Sequence, residues 1–138
     1  MEINLDKLNG LKILVADDQY ANRLILKHYI ERWNAEGIYA ENGQEVLAKL
    51  NDDKNIHVII IDLNMPGIDG IEVTKKIRQG ALGEEVKHIP IIALTGDILL
   101  DKNKLKDEIK FNEILIKPFN PNELLGYIKE FSMVFKNP

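Results

Sequence analysis

Short apolar segments alternate with amphipathic stretches along this chain. Segments rich in Ile, Val, Leu and Ala that are bounded by turn-forming residues are typical of strands buried on both faces of a parallel sheet. Five segments have this character: 12–16, 37–40, 57–62, 90–95 and 113–117. The pattern therefore predicts five strands, of which the second is the weakest.

The stretches between the predicted strands carry apolar residues three or four positions apart, which is the spacing of one helix face. The predicted buried face of the first helix consists of Ala21, Leu24, Ile25, His28 and Tyr29. The fourth helix is predicted over about 98–109 and the fifth over about 121–135, with Asn120 as its cap. Residues 78–90 show neither the helical spacing nor a strand-like apolar run, and are predicted to form a surface loop.

Strands that alternate with helices predict right-handed crossovers and a parallel sheet covered on both sides. The expected fold class is therefore α/β: a doubly wound, five-stranded parallel sheet with five helices. The sequence shows no internal repeat and no linker, so we expect one domain over 1–138, with its core at about 10–136. Ligands of such sheets bind beyond the carboxyl ends of the strands.

Composition narrows the classes of function. The chain has 138 residues, 45% of them hydrophobic, which suits a single core. A net charge of −4 argues against nucleic-acid binding, and the absence of cysteine excludes disulfides and thiolate chemistry. No apolar run approaches the roughly 20 residues of a membrane helix, and no signal peptide is apparent. We therefore expect a cytoplasmic protein that binds neither nucleic acid nor membrane.

Polar residues with distinct chemistry follow the predicted strands. Asp17 and Asp18 follow the first strand, Asp62 ends the third, Thr95 ends the fourth and Lys117 ends the fifth. Since the carboxyl ends of parallel strands share one edge, we expect these side chains to lie close together. Clustered carboxylates repel one another unless a cation binds between them, and Mg²⁺ prefers oxygen ligands. The sequence therefore predicts a Mg²⁺ site at this edge.

Each of these residues alone has an ordinary structural explanation. An aspartate after a strand is commonly a helix cap or a turn former. A threonine at a strand end is a good β-former, and a lysine before proline is commonly a surface charge. The combination at one edge of one sheet is what favours a site that binds a metal ion and a phosphoryl group.

The motifs at this edge resemble those of a known family. They are "DD" (17–18), "DLNMPGIDG" (62–70), "ALTG" (93–96) and "KPF" (117–119), in this order. Together they resemble the receiver domain of response regulators in bacterial two-component signalling. The resemblance covers nearly the whole chain, about residues 10–136, and implies the flavodoxin-like fold of that family.

The resemblance also implies roles for individual residues. Asp62 would be the phosphoacceptor, which attacks the phosphorus of a phosphohistidine. Asp18 would bind Mg²⁺ directly, Asp17 mostly through water, and Asn64 would contribute its backbone carbonyl.

The same resemblance implies that the Thr95 hydroxyl donates a hydrogen bond to the phosphoryl group. It also implies that the Lys117 ammonium group pairs with another phosphoryl oxygen. It implies a cis bond between Lys117 and Pro118, and a switch in the surface formed by the helix at 98–109, the fifth strand and the last helix. The implied partner is a sensor histidine kinase or a histidine phosphotransfer domain. The downstream partner is unknown, and a weak homodimer is compatible with the resemblance.

Two positions depart from the family pattern, and a pair of residues adds detail to it. Ile114 stands where many receivers have a Tyr or Phe, so we expect the aromatic part of the usual switch to be missing. Lys110 replaces a frequent glycine, so the turn before the fifth strand is expected to differ. The pair Asn22-Arg23 after the acidic residues resembles the sequence at this position in receivers attached to hybrid histidine kinases. It is equally consistent with a helix start that carries a solvated arginine.

Two alternatives use similar residues on a similar sheet. A haloacid-dehalogenase-like phosphatase also uses Asp, Thr, Lys and Mg²⁺, but its D-x-D pattern after the first strand is missing, because Gln19 stands two positions after Asp17. A flavodoxin-like binding module would need a Ser/Thr/Gly-rich phosphate loop there. We therefore expect a signalling module that modifies only itself, and no enzyme acting on other substrates.

Overall fold

The computed structural model describes residues 8–136 of the chain. Strands and helices follow one another along these residues as β1 (Lys12–Ala16), α1 (Tyr20–Arg32), β2 (Glu36–Ala40), α2 (Gly43–Asp52), β3 (Val58–Asp62), α3 (Gly70–Arg78), α4 (Glu84–Lys87), β4 (Ile91–Thr95), α5 (Lys102–Glu108), β5 (Glu113–Ile116) and α6 (Pro121–Lys136). The five predicted strands are all present. Within 8–136, no helix is both long enough and apolar enough to cross a lipid bilayer.

The strands form one parallel sheet in the order β2-β1-β3-β4-β5, which confirms the predicted doubly wound architecture. The chain moves outward in one direction from β1 to β2 and in the other from β3 to β5. The strand order therefore reverses between β1 and β3, and the crevice at this point is where such sheets bind ligands. Asp17 follows β1 and Asp62 ends β3, so both lie at this reversal.

Alternate residues of the strands supply two hydrophobic cores, one on each face of the sheet, as the period of two requires. Leu14, Ile59 and Ile61 point to the side covered by α2, α3, α4 and α5. Ile13, Val15 and Ile60 point to the side covered by α1 and α6. The central strands are buried on both faces, which explains why their sequences are continuous apolar runs.

The five predicted helices are the five helices of seven or more residues, but the prediction of a surface loop over 78–90 was wrong in one respect, because that segment contains the short α4. This single turn of helix buries Val86, and the nearby Ile89 is also fully buried. One helical turn presents too few apolar positions to produce a recognisable period. The segment is consequently part of the core and not only a surface connection.

The predicted face of α1 was also wrong. Leu24 and Ile25 are about half exposed, at 50% and 49%, whereas Leu26, Ile30 and Trp33 are buried. The helix has two apolar stripes, and the one at positions 26, 30 and 33 packs against the sheet. Leu24 and Ile25 are left on the surface close to the carboxyl end of β1.

The helix predicted over about 98–109 starts later than expected, since α5 begins at Lys102. Asp101 caps it by accepting a hydrogen bond from the Lys104 amide at 3.1 Å. The preceding residues, Ile98 and Leu99, are 77% and 89% exposed and belong to a turn. The last helix begins as predicted, with the Asn120 side chain accepting from the Asn122 amide at 2.9 Å.

The turn before β5 has the left-handed backbone that glycine adopts most easily, although it contains Lys110 with φ +75°. The half-buried Arg78 side chain holds this turn by donating to the carbonyls of Lys110 (3.0 Å) and Lys87 (2.9 Å) and to the Asn112 side chain (3.0 Å). Burial lowers the pKa of Arg78 to about 10. Arg78 thus connects the ends of α3 and α4 with the turn that leads into β5.

Candidate functional site

Three carboxylates meet where β1 and β3 end. Each of Asp17, Asp18 and Asp62 offers an oxygen that lies within 4.8 Å of the other two. Asp17 and Asp62 are buried, at 1% and 5% exposed, whereas Asp18 is accessible to solvent. The parallel pairing of β1 with β3 causes this convergence, because it places the residues after Ala16 and Ile61 side by side.

The two buried carboxylates are held in the same way. Asp17 Oδ1 accepts a hydrogen bond from the Gln19 amide at 2.8 Å, and Asp62 Oδ1 accepts one from the Asn64 amide at 2.9 Å. Each is a short-range turn in which an aspartate bonds the backbone two residues further on. One oxygen of each carboxylate is therefore fixed by the backbone, and the other remains for a cation.

Lys117 supplies that cation in this structure. Its Nζ lies 3.0 Å from Asp62 Oδ2 and 3.4 Å from Asp17 Oδ2. The lysine follows β5, and its amide donates to the Thr95 carbonyl at 2.7 Å, which connects it to the neighbouring strand β4. The bond from Lys117 to Pro118 is cis, as the resemblance implied.

Thr95 is almost fully buried, at 1% exposed, at the end of β4. Its hydroxyl oxygen accepts a hydrogen bond from the Asp97 amide at 3.1 Å. The hydroxyl proton is therefore available to an acceptor at the sheet edge. In the sheet, β4 lies beside β3 and pairs Leu94 with Asp62, so Thr95 lies one residue beyond the partner of Asp62.

The charges at this edge are strongly coupled. Burial raises the pKa of Asp17, and the neighbouring Asp62 charge adds to this, although the Gln19 amide and Lys117 oppose it. Burial alone would lower the pKa of Lys117, but its hydrogen bond to Asp62 and the two carboxylate charges together raise that pKa. The site consequently favours a firmly protonated lysine and penalises any carboxylate left without a cation.

Arg23 is a site residue whose role sequence reasoning missed. Its Nη1 donates to the Asp17 carbonyl at 2.7 Å, and its Nη2 donates to Glu41 Oε1 at 3.1 Å. Its side chain is only 12% exposed, so the alternative of a solvated arginine is wrong. The available signal was an arginine on the first turn of α1, directly after the acidic pair, but its main acceptor is a backbone atom that no motif records.

The residues fit a hard divalent cation. The carboxylates offer only oxygen, two of them are already directed at a shared positive charge, and Asp18 is open to solvent water. Mg²⁺ typically takes one or two carboxylates, keeps several waters and binds phosphate oxygens. The chemistry of this set therefore matches Mg²⁺, with Asp17, Asp18 and Asp62 as the residues that would hold it.

A groove adjoins the carboxylates on the side of α1. Its volume is about 410 Å³, and it lies between α1 and the segment after β5. Its apolar lining includes Ile25, Tyr29 and Phe119, while Asp17 and Lys117 belong both to the groove and to the acidic site. A molecule bound in this groove would therefore lie next to Lys117.

Comparison with known proteins agrees with the geometry. The sequence model of the response regulator receiver domain matches residues 13–129. The transcriptional regulatory protein ResD of Bacillus subtilis is 40% identical over 128 residues, which cover 91% of this chain and 49% of ResD. The chain therefore spans about half the length of this relative.

Solved structures show the same likeness. A response regulator receiver domain protein from Clostridium thermocellum has a TM-score of 0.81 and 28% identity, covering 91% of this chain and 97% of that one. The receiver domain of Ssk1 from Saccharomyces cerevisiae, solved with the histidine phosphotransfer protein Ypd1, has a TM-score of 0.78 and 28% identity, with 91% of each chain covered.

This chain belongs to the response regulator receiver family. The fold, the order of the motifs and the family match over residues 13–129 all agree on this assignment. The resemblance stated from the motifs is thereby confirmed, and the flavodoxin-like architecture with it. The roles of individual side chains stay predictions. The single-domain extent of 1–138 also stays a prediction, because residues 1–7 and 137–138 lie outside the described part of the chain.

Proposed function

We propose that this chain accepts a phosphoryl group on Asp62 from a phosphohistidine, with Mg²⁺, as one step of a two-component phosphorelay. The observation that carries the proposal is the position of Asp62: a buried carboxylate with one oxygen fixed by the Asn64 amide and the other 3.0 Å from Lys117 Nζ. An aspartate in this position can form an acyl phosphate. Histidine kinases draw on ATP, so a cytoplasmic location belongs to the proposal.

The transfer is a displacement at phosphorus. An oxygen of Asp62 forms the new P–O bond, the P–N bond of the phosphohistidine breaks, and the imidazole leaves with the electron pair and takes up a proton. Lys117 moves from the carboxylates to a phosphoryl oxygen, and the Thr95 hydroxyl donates to another. Such transfers depend on positioning and charge neutralisation. Mg²⁺ bound to Asp17, Asp18, Asp62 and the Asn64 carbonyl would neutralise charge on the transferred group.

We propose that the donor docks over the groove beside α1. The donor's histidine must reach Asp62, and the groove shares Asp17 and Lys117 with the site. Tyr20, Leu24 and Ile25 leave a solvent-exposed apolar surface on the same helix, which suits an apolar helix face of a donor domain. The solved pair of Ypd1 with the Ssk1 receiver supports a histidine phosphotransfer protein as this kind of partner.

Substitution of Ile25 by serine tests this docking. We expect Ile25→Ser to slow transfer from a panel of phosphorylated histidine kinases and phosphotransfer domains, while labelling by acetyl phosphate stays unchanged. Met133→Ser is the matched control, because Met133 is 65% exposed on α6, away from the groove residues. Equal transfer rates for both variants would place the donor on another surface.

The alternative as a phosphatase makes a different prediction about turnover. A receiver takes up one phosphoryl group per chain and loses it slowly, whereas a phosphatase releases many equivalents of phosphate. We expect acetyl phosphate to give stoichiometric labelling and p-nitrophenyl phosphate to give no sustained turnover. Continued release of nitrophenol that requires Asp62 would favour the phosphatase instead.

We propose that phosphorylation is read at the surface of α5, β5 and α6. A phosphoryl group adds roughly −1.5 to −2 charge and three acceptor oxygens, which attract Thr95 and Lys117. These two residues are already coupled by the 2.7 Å bond between their backbones. Ile114 is fully buried and carries no ring, so the change runs without an aromatic rotamer.

Amide NMR with and without beryllofluoride, a mimic of the phosphoryl group, tests this output. We expect chemical-shift changes at the acidic site and also in α5 and α6. Changes confined to the acidic site would mean that the output uses a different surface.

A further inference from the structure

Arg23 contacts the backbone between the two adjacent acids. Its Nη1 donates a 2.7 Å hydrogen bond to the Asp17 carbonyl, the atom that begins the peptide group between Asp17 and Asp18. A peptide group is planar, so fixing its carbonyl also fixes the direction in which the chain enters the next residue. The guanidinium thereby restrains the backbone that carries Asp18.

Asp18 differs from the other two acids in what holds it. Asp17 and Asp62 each accept hydrogen bonds from a backbone amide and from Lys117. Within residues 8–136, the Asp18 carboxylate makes no hydrogen bond and no ion pair. Its direction therefore depends on its backbone, and this is the backbone that Arg23 holds.

Arg23 is itself anchored on three sides. Its Nη2 donates to Glu41 Oε1 at 3.1 Å, and its guanidinium carbon lies 5.6 Å from the centroid of the Tyr20 ring. The amide of Glu41 in turn donates to Glu45 on α2 at 3.1 Å. Because Glu41 is 63% exposed, its ion pair contributes little energy by itself, but it directs the second arm of the guanidinium. The contact to Asp17 is the buried and therefore the stronger one.

We propose that Arg23 is a positioning residue for the metal: by holding the peptide between Asp17 and Asp18, it orients the Asp18 carboxylate toward Mg²⁺. This inference rests on the proposed function, since it assigns Asp18 to the metal. Arg23 itself touches neither the metal nor the phosphoryl group in this scheme.

A Mg²⁺ titration of the intact chain tests the proposal. Removing a residue that positions a metal ligand typically changes metal affinity 10–100-fold. Mg²⁺ keeps several waters and depends less on each protein ligand, so the effect here should lie at the low end. We therefore expect Arg23→Met to weaken Mg²⁺ binding about tenfold. Arg23→Lys keeps the charge but cannot reach both acceptors, and should lose less. Arg32→Met is the matched control, because Arg32 is exposed on the same helix and its removal changes the net charge equally.

Two readouts separate positioning from a general loss of structure. Unfolding midpoints in EDTA identify the temperature range in which each variant is folded, and Arg23→Lys provides the test should Arg23→Met not fold. At saturating Mg²⁺, labelling of Arg23→Met by acetyl phosphate should return to within about twofold of wild type. The reason is that the proposed defect lies in the affinity for Mg²⁺, which a high Mg²⁺ concentration overcomes.

The outcomes are distinct. Tenfold weaker Mg²⁺ binding in Arg23→Met, with Arg32→Met like wild type, supports the proposal. Equal Mg²⁺ affinity in the two methionine variants overturns it and leaves the proposed function intact. A wild-type chain that binds no Mg²⁺ overturns both.

Discussion

Replacing Lys117 by methionine removes the only cation that the described residues place between the buried acids. Methionine keeps most of the length and apolar volume of the lysine stem, so the change is mainly one of charge. At separations of 3.0 Å and 3.4 Å, each attraction amounts to roughly 5 kcal/mol for an effective dielectric constant of 20. The cost of desolvating the charges offsets most of this attraction.

The net effect follows from what the substitution leaves behind. Asp17 and Asp62 have side chains only 2% and 6% exposed, so two buried carboxylates would lose their counter-ion. Breaking a buried ion pair in this way costs about 3–5 kcal/mol, and the lower value applies because Lys117 is itself 27% exposed. We therefore expect Lys117→Met to lower the free energy of unfolding by about 3 kcal/mol in EDTA.

Urea unfolding followed by circular dichroism measures this loss, and a second series with Mg²⁺ gives the sharper result. A ligand at 100 times its dissociation constant stabilises a protein by about 2.7 kcal/mol. In Lys117→Met, Mg²⁺ no longer competes with the ammonium group for the carboxylates, so a given concentration should stabilise the variant more than the wild type. The gain would appear even though phosphorylation is slowed.

The matched control is Lys106→Met, which removes a lysine paired with Glu113 at 3.2 Å, with the two side chains 34% and 15% exposed. Only one carboxylate loses its counter-ion in this variant, so it should lose less stability than Lys117→Met, and its response to Mg²⁺ should not change. Equal stability of Lys117→Met and wild type in EDTA, or an equal gain from Mg²⁺, would refute the electrostatic account of the site.

Three further predictions concern the same edge of the sheet and its supports. Because burial raises the pKa of Asp17, the folded state binds a proton on this carboxyl group more tightly than the unfolded state does. The stability that results is complete below about pH 3.9, the ordinary pKa of aspartate, and is lost as the pH rises through the raised pKa. Asp17→Asn should therefore be more stable than wild type at pH 7 in EDTA, which urea unfolding checks, and lower stability would contradict this. Gly70→Ala should lower the free energy of unfolding by about 1–3 kcal/mol and slow acetyl phosphate labelling, because the new Cβ would lie 2.7 Å from the Asp62 carbonyl oxygen. Gly126→Ala is the control: its Cβ would meet open space, so this variant should raise the unfolding midpoint. Arg78→Met should lower the unfolding free energy by at least about 2 kcal/mol, because it leaves two carbonyls without their charged donor, and an unchanged unfolding midpoint would show that water replaces it.

The strands and the position of the site could be predicted because both depend on strong, local signals. Short continuous apolar runs such as 58–61, bounded by polar residues, are typical of strands buried on both faces, and parallel strands bring their carboxyl ends to one edge. Residues at those ends, Asp17, Asp62 and Lys117, could then be placed together without knowledge of side-chain detail. The structure brings the carboxylates of Asp17 and Asp62 within hydrogen-bonding distance of the Lys117 ammonium group.

Other features depend on information that the sequence does not carry locally. α1 has apolar residues on two stripes, and only packing against the sheet decides that Leu26 is buried and Ile25 is not. α4 is a single turn, too short for a period. Arg23 acts on a backbone carbonyl, an acceptor that every residue has, so no residue pattern could identify its partner.

The most direct test of the central claim is to locate the phosphoryl group after incubation with acetyl phosphate and Mg²⁺. Mass spectrometry of the intact chain gives the stoichiometry, and peptide mapping after borohydride reduction of the acyl phosphate gives the residue. We predict one phosphoryl group per chain, on Asp62, with no labelling in EDTA or in Asp62→Asn. Labelling that persists in Asp62→Asn, or that maps to a histidine, would contradict the assignment of Asp62 as the phosphoacceptor.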